Sequence, residues 1–168
     1  MHLVYFEGPD NLSEINFRRA VWLFPAAYTL HVLEELPQFT NWVRHYANAS
    51  FTMRDYLVIH VSGIVVAVLA PPILQFSRNR VVIFIFFTFI FTPAVCFNIF
   101  FHTGATVAFG VYCPGLLTAL TLYAPLFYVV TRVAFREGLL TNRMAIVSFV
   151  VAGLFHAADI SHNVFKSW

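Results

Sequence analysis

Four apolar runs dominate the chain: Tyr56 to Phe76, Val81 to Thr103, Tyr112 to Phe135 and Met144 to Phe165. Only Ser77 to Arg80, Gly104 to Val111 and Arg136 to Arg143 separate them. Each run is about 21 to 24 residues, enough for a helix to cross a hydrocarbon core of roughly 30 Å. A fifth run, Ala20 to Leu36, comes first. It contains Pro25, ends at Pro37, and as a helix would reach only about 25 Å. The pattern predicts an all-α, polytopic transmembrane helix bundle of about five spans, the first short or broken, forming one domain over residues 1–168. If that first run is re-entrant, four full spans remain and the two termini lie on the same side.

Composition agrees. The chain is 60% hydrophobic and 11% charged, with twenty Phe among its 168 residues. A soluble domain carries about a quarter charged residues, so this chain has too little polar material to cover a globule in water. The formal charge of +2 and the absence of a basic run exclude nucleic acid as a partner. Cys96 and Cys113 stand alone and define neither a disulfide framework nor a zinc ribbon. Met1 to Asn16 contains Glu7, Asp10 and Glu14 but no Lys or Arg. It therefore lacks the basic segment of a cleavable secretory signal, and the first apolar run is expected to stay in the mature protein.

With five spans, Arg18, Arg19, Arg78, Arg80, Arg132, Arg136 and Arg143 fall on one side and Arg44, Arg54 and Lys166 on the other. The basic excess predicts a cytoplasmic N-terminus, and a bacterial inner membrane is the expected location. The longer connection from Pro37 to Asp55, with Trp42, Tyr46, Arg44 and Arg54, has interfacial character.

The same topology sorts the polar residues by depth. Counted from the cytoplasmic end, His31 to Glu35 lie roughly 16 to 22 Å up the first helix, and Asn98 and His102 roughly 25 to 31 Å up the third. His156, Asp159 and His162 lie roughly 18 to 27 Å up the fifth. All fall in the outer half. Scattered polar residues would not choose one layer, which points to a shared cavity there.

The sharpest cluster is Tyr28-Thr-Leu-His31-Val-Leu-Glu34-Glu35-Leu-Pro37. A carboxylate near the middle of a spanning helix costs roughly 2.5 to 3.5 kcal/mol on insertion scales, so two in succession need compensation. In a helix His31 and Glu35 are one turn apart on one face with Glu34 on the flank, so the three are expected to converge. Asn98 and His102 share a face at i and i+4; His156, Asp159 and Asn163 share another, with His162 at its edge. Imidazoles and carboxylates on facing helices are the donor set of bundle-core zinc and di-iron sites. We therefore expect a divalent metal, zinc or iron, held among His31, Glu35, His102, His156, His162 and Asp159, with Glu34, Glu35 and Asn98 as catalytic groups. Pro93 should loosen the third helix beside them. His60 reads as structural, close to the outer headgroups, and His2 and His45 as solvated loop residues.

His31-Val-Leu-Glu34-Glu35, followed by Phe39, Trp42, Asn98, His102 and Tyr112-Cys-Pro114-Gly115-Leu-Leu-Thr118, resembles the HXXEE family of small integral membrane proteins. The match runs in order over most of the chain. The resemblance implies an enzyme and carries over to His31, Glu34, Glu35, Asn98 and His102. Pro114-Gly115 at the start of the fourth of the five helices would turn that helix's N-terminal N–H groups toward the cavity. A looser likeness links the chain to CAAX-type glutamate intramembrane proteases, through an adjacent Glu pair and later membrane histidines. It departs at Phe39, where that pattern has a basic residue, and at Asn98, where it has Phe.

The expected function is a membrane-embedded metal-dependent enzyme acting on an apolar or lipid-like substrate from the bilayer, with Glu34 as general base. The alternatives are a metal-independent hydrolase using Glu34 or Glu35, and a small carrier or proton pathway. The lack of repeat symmetry counts against the carrier.

Overall fold

The computed structural model describes residues 15–77 and 79–164, and the described residues form helices and connections with no strand. His2, Glu7, Asp10, Glu14, Arg78 and Lys166, used above for charge and topology, lie outside the described residues. We label the helices α1 (Phe17–Ala20), α2 (Leu23–Glu35), α3 (Phe39–Tyr46), α4 (Met53–Phe76), α5 (Arg80–Phe109), α6 (Leu116–Arg136) and α7 (Asn142–Asn163). Helices α4 to α7 are each long and apolar enough to cross a membrane.

Their ends follow from local chemistry. Thr52 and Asp55 form a reciprocal capping box at the start of α4, while Asn79 and Thr141 accept from the first-turn N–H groups of α5 and α7. Helix α5 stops at Gly110, whose φ of 67° is the left-handed conformation that closes helices.

The first apolar run is broken. Four residues of α1 and thirteen of α2 are separated by a turn at Val21 and Trp22. Together they still cross the depth of the bundle. The Phe17 N–H donates to Glu137 Oε1, just past the end of α6, at 2.7 Å, whereas Glu35 at the other end meets His60 and His102. This segment is also central: Phe17, Ala20, Val21, Phe24, Ala27, Tyr28, His31, Val32 and Glu35 are all buried. By contrast α4 and α7 expose Val58, Val65, Leu69, Ile73, Ile146, Val150 and Leu154, as outer helices facing lipid do.

Aromatic rings fill the lower half of the bundle. Phe24 meets Phe86 and Phe91 edge-on at 6.2 and 5.5 Å, and Phe91 stacks on Phe127 at 5.8 Å. Such pairs contribute about 0.5 to 1.5 kcal/mol each beyond the area they bury. Helix α5 is loosened around Pro93 as expected: Phe86–Phe97 is π-helical, and a second π-helical stretch, Ala119–Tyr123, lies in α6. Such wide turns are rare and concentrate at functional sites. Here one leads directly into Asn98 and the other carries Tyr123, whose ring lies 4.5 Å from that of His31.

The ends differ in charge. Arg18, Arg80 and Glu137 line a cleft at one end, whereas Asn48, Ser50, Asp55 and His162 line one at the other. Tyr56 stands near the second end and donates its O–H to the Val32 carbonyl at 2.7 Å, tying α4 to α2 beside the polar cluster.

Candidate metal centre

The i, i+4 spacing in α2 brings the His31 Nε2 and Glu35 Oε1 atoms to 3.6 Å, and α5 adds His102, whose Nε2 is 3.2 Å from the same oxygen. One ligand atom from each of these residues lies within 4.8 Å of the others, a group that could hold a metal ion. Burial is complete for practical purposes, at 1%, 1% and 0% exposure. A fourth side chain joins them: His60 of α4 places Nε2 3.3 Å from Glu35 Oε2. The sequence had suggested a structural histidine there, because its depth looked interfacial. Depth says nothing about azimuth, and the face of α4 that carries Tyr56 and His60 turns inward.

The protons around these groups can be followed. Thr118 Oγ1 donates to Glu34 Oε2, so it accepts from His31 Nδ1 at 2.8 Å. Nδ1 therefore holds the His31 proton and Nε2 presents a lone pair toward Glu35. On the other side His102 Nδ1 lies 3.3 Å from Cys113 Sγ. Burial, with Glu35 and Glu34 behind it, pushes the Cys113 thiol up to about 12, so it stays S–H and directs its own proton to the Pro114 carbonyl. With sulfur as the acceptor, His102 Nε2 would be bare as well. His31 Nε2, His102 Nε2 and Glu35 Oε2 all lack a hydrogen-bond partner. Buried acceptors facing one another repel unless a cation lies between them. Two imidazoles and one carboxylate are the protein ligands of catalytic zinc and of non-haem iron.

Gly115 closes the site. Its φ is 99°, and a Cβ on it would meet His102 Cε1 at 2.6 Å, His31 Cε1 at 2.8 Å and Glu35 Cγ at 3.0 Å. A side chain there would fill the space in which the three ligands meet.

Glu34 departs from expectation. It points away from Glu35 and spends both oxygens on the start of α6. Oε1 accepts from the Gly115 and Leu117 N–H groups, each at 3.2 Å, and from the Tyr112 hydroxyl; Oε2 accepts from the Thr118 N–H at 2.8 Å and from the Thr118 hydroxyl. Consecutive helical residues are about 100° apart, so adjacent carboxylates cannot share a target. The α6 N–H groups thus face Glu34, not open space, and the carboxylate complements the helix dipole. Burial and the Glu34 contact raise the Tyr112 phenol above its ordinary range, which keeps it a donor. A carboxylate held by five donors is a weakened base, which counts against the general-base role expected for Glu34.

The remaining candidates divide. Asn98, His156 and Asp159 line a small cavity beside Glu35, His60 and His102, and the Asn98 Oδ1 and His156 Nε2 atoms lack partners. Neither His156 nor Asp159 belongs to the close ligand group, and Asp159 accepts instead from Asn163 Nδ2 at 2.8 Å. His162 is exposed and lines a different cavity with Asn48, Ser50 and Asp55. Six residues along a helix turn about 240°, which carries it away from the face of His156. His156, Asp159 and His162 thus lie outside the group that could hold a metal ion. His45 is exposed as expected.

Residues 22–130 match a family described as protein of unknown function with HXXEE motif. The chain belongs to the HXXEE family. No curated protein and no solved structure matches it. In this HXXEE protein the motif's first and last residues, His31 and Glu35, enter the ligand group, and its middle Glu34 holds the helix that seals it. Every residue of both arrangements lies inside the matched region, whereas His156, Asp159 and His162 lie beyond it.

Proposed function

We propose that this HXXEE protein is a membrane-embedded metal-dependent enzyme in which His31, Glu35 and His102 bind one zinc or iron ion, and that it acts on an apolar or lipid-like substrate. The observation that carries the reading is that His31 Nε2, His102 Nε2 and the buried Glu35 carboxylate face one another with no hydrogen bond between them. An ion at that point would supply Lewis-acid chemistry, as zinc does in hydrolysis, or redox chemistry if it is iron.

The chain's own groups suit the rest of the task. His60 faces Glu35 on one side and has an unpartnered Nδ1 on the other, so it can take up or deliver a proton between the pocket and the buried carboxylate. Asn98 offers a free amide oxygen to orient a bound molecule. Thr118 and Cys113 hold the imidazoles in the tautomer that ligation needs. The arginines gathered near Phe17 support a cytoplasmic location for that end, which would open the site to the outer leaflet.

Elemental analysis of the purified protein tests the reading. We expect about one zinc or iron per chain, lost in both His31→Ala and Glu35→Ala. Parent protein purified without chelator and free of metal would end it. A second reading rests on the 3.3 Å contact between His60 and Glu35, which suits a metal-free pair that activates water. Activity that persists after exhaustive chelation would favour that pair.

A further inference from the structure

A cavity of about 510 Å³ lies near the candidate metal centre, on the side of His60 and Asn98, and reaches into the apolar part of the bundle, a volume typical of small-molecule sites. Its upper end is polar. His60, Asn98, His156, Asp159 and Asn163 line both this cavity and the small one beside Glu35, so the two are adjacent. Its lower walls are apolar, with Phe24, Ile90 and Pro93 at the back. Val58, Val66, Phe89 and Phe155 form a rim that is also exposed on the lipid-facing surface. Molecules dissolved in the bilayer could enter sideways there.

The polar end discriminates by charge. No Lys or Arg lines the cavity, and Asp159 supplies a carboxylate. Asn98 Oδ1, His156 Nε2 and His60 Nδ1 are without partners, so up to three acceptor positions await a donor. An anionic head would find no cation and one like charge, whereas a hydroxyl or ammonium group would be satisfied. The depth fits as well: His60 lies seven residues inside the start of α4, roughly 10 Å below the helix end, with the apolar walls deeper still.

We propose that this cavity binds a single-chain amphiphile whose head donates hydrogen bonds, a long-chain alcohol or amine, with the head beside His60 and Asn98 and the chain toward Phe24 and Phe89. This names the substrate class for the metal-dependent reading and rests on it for any chemistry, but the binding itself needs only the cavity.

The test uses the full chain in nanodiscs of zwitterionic phospholipid and dodecanol carrying a diazirine on its chain. Labelled residues are mapped by mass spectrometry, before and after treatment with chelator. Labelling should concentrate in Phe89–Asn98 and Phe155–Asn163 in both samples, so that a failure of the metal reading does not obscure the result. Unlabelled dodecanol and dodecylamine should protect, and dodecyl phosphate should not. Ala94→Phe, which fills the cavity, should abolish the focused labelling. His156→Leu, which keeps an apolar helix face, should weaken protection by dodecanol about fivefold, as expected for one lost hydrogen bond. Labelling spread evenly over the outer faces of α4 and α7, or protection by dodecyl phosphate equal to that by dodecanol, would overturn the assignment.

Discussion

Glu34 and Glu35 are neighbours in sequence and opposites in environment. Every contact of Glu34 is a donor: three backbone N–H groups, a phenol and a threonine hydroxyl. The nitrogens that close on Glu35 from His31 and His102 make no hydrogen bond, and neither does its Oε2. One carboxylate is satisfied by protein. The other faces unpartnered nitrogens that a bound cation would reconcile. The same residue type therefore anchors a helix at one position and joins a group that could hold a metal ion at the next, separated by the 100° step of the helix.

The largest test of that contrast exchanges each carboxylate for its amide and reads two quantities. Glu35→Gln should abolish metal binding, because an amide is a poor ligand, while leaving the thermal midpoint of metal-free protein unchanged or higher, since the new NH₂ can donate to the bare imidazole nitrogens. Glu34→Gln should do the reverse and lower the midpoint of metal-free protein. It places an amide NH₂ against a ring of donors and removes the charge from the α6 N-terminus, at a cost of about 2 to 4 kcal/mol summed over the charge-assisted bonds. Both midpoints falling equally would mean that the two glutamates do the same work, and the comparison would collapse.

Gly115→Ala comes next, because Gly115 belongs to both regions. Its N–H donates to Glu34, and its missing Cβ leaves room for the ligands of Glu35's group. The left-handed backbone alone costs an alanine on the order of 1 kcal/mol, and the contacts of 2.6 and 2.8 Å to the two imidazoles force them apart. Metal affinity should fall at least about 100-fold, the scale on which disturbed ligand shells respond. Titration with zinc against a competing chelator measures it, and an unchanged affinity would mean that the ligands do not meet under Gly115.

How much of this was legible in the sequence follows from what helix periodicity can and cannot carry. The i, i+4 pairs His31 with Glu35 and Asn98 with His102 were readable, because spacing along one helix fixes which residues share a face. So was the break in the first run, from its length and its prolines. The divergence of Glu34 from Glu35 was implicit in the same 100° step, yet the cost of burying two adjacent carboxylates suggested one shared solution when the bundle supplies two. The inward placement of His60 and the outward placement of His162 were not legible for a different reason. Depth is additive along a helix, but the rotation of α4 and α7 about their own axes depends on how they pack, and α7 packs chiefly on the π-helical part of α5. The donors that receive Glu34 were foreshadowed only by the Pro114-Gly115 turn, since nothing local pairs residues 84 positions apart.

The smallest expected effect lies at Thr118, where the two regions touch. Its hydroxyl donates to Glu34 Oε2 and accepts from His31 Nδ1 at 2.8 Å, so it is the one oxygen that orients a ligand of the second group while bonded to the anchor of the first. Thr118→Val keeps the shape and removes that oxygen. The Thr118 N–H still reaches Glu34, so the fold should lose only about 1 kcal/mol. His31 would then be free to take either tautomer, and the form with the proton on Nε2 cannot ligate; zinc affinity should weaken about tenfold with little change in the thermal midpoint. Thr118→Ser restores the hydroxyl and should restore the affinity. A valine variant with parental affinity would show that the His31 tautomer is set elsewhere. The link between the helix anchor and the ligand group would then be mechanical, through Gly115, with no contribution from the shared hydrogen bond.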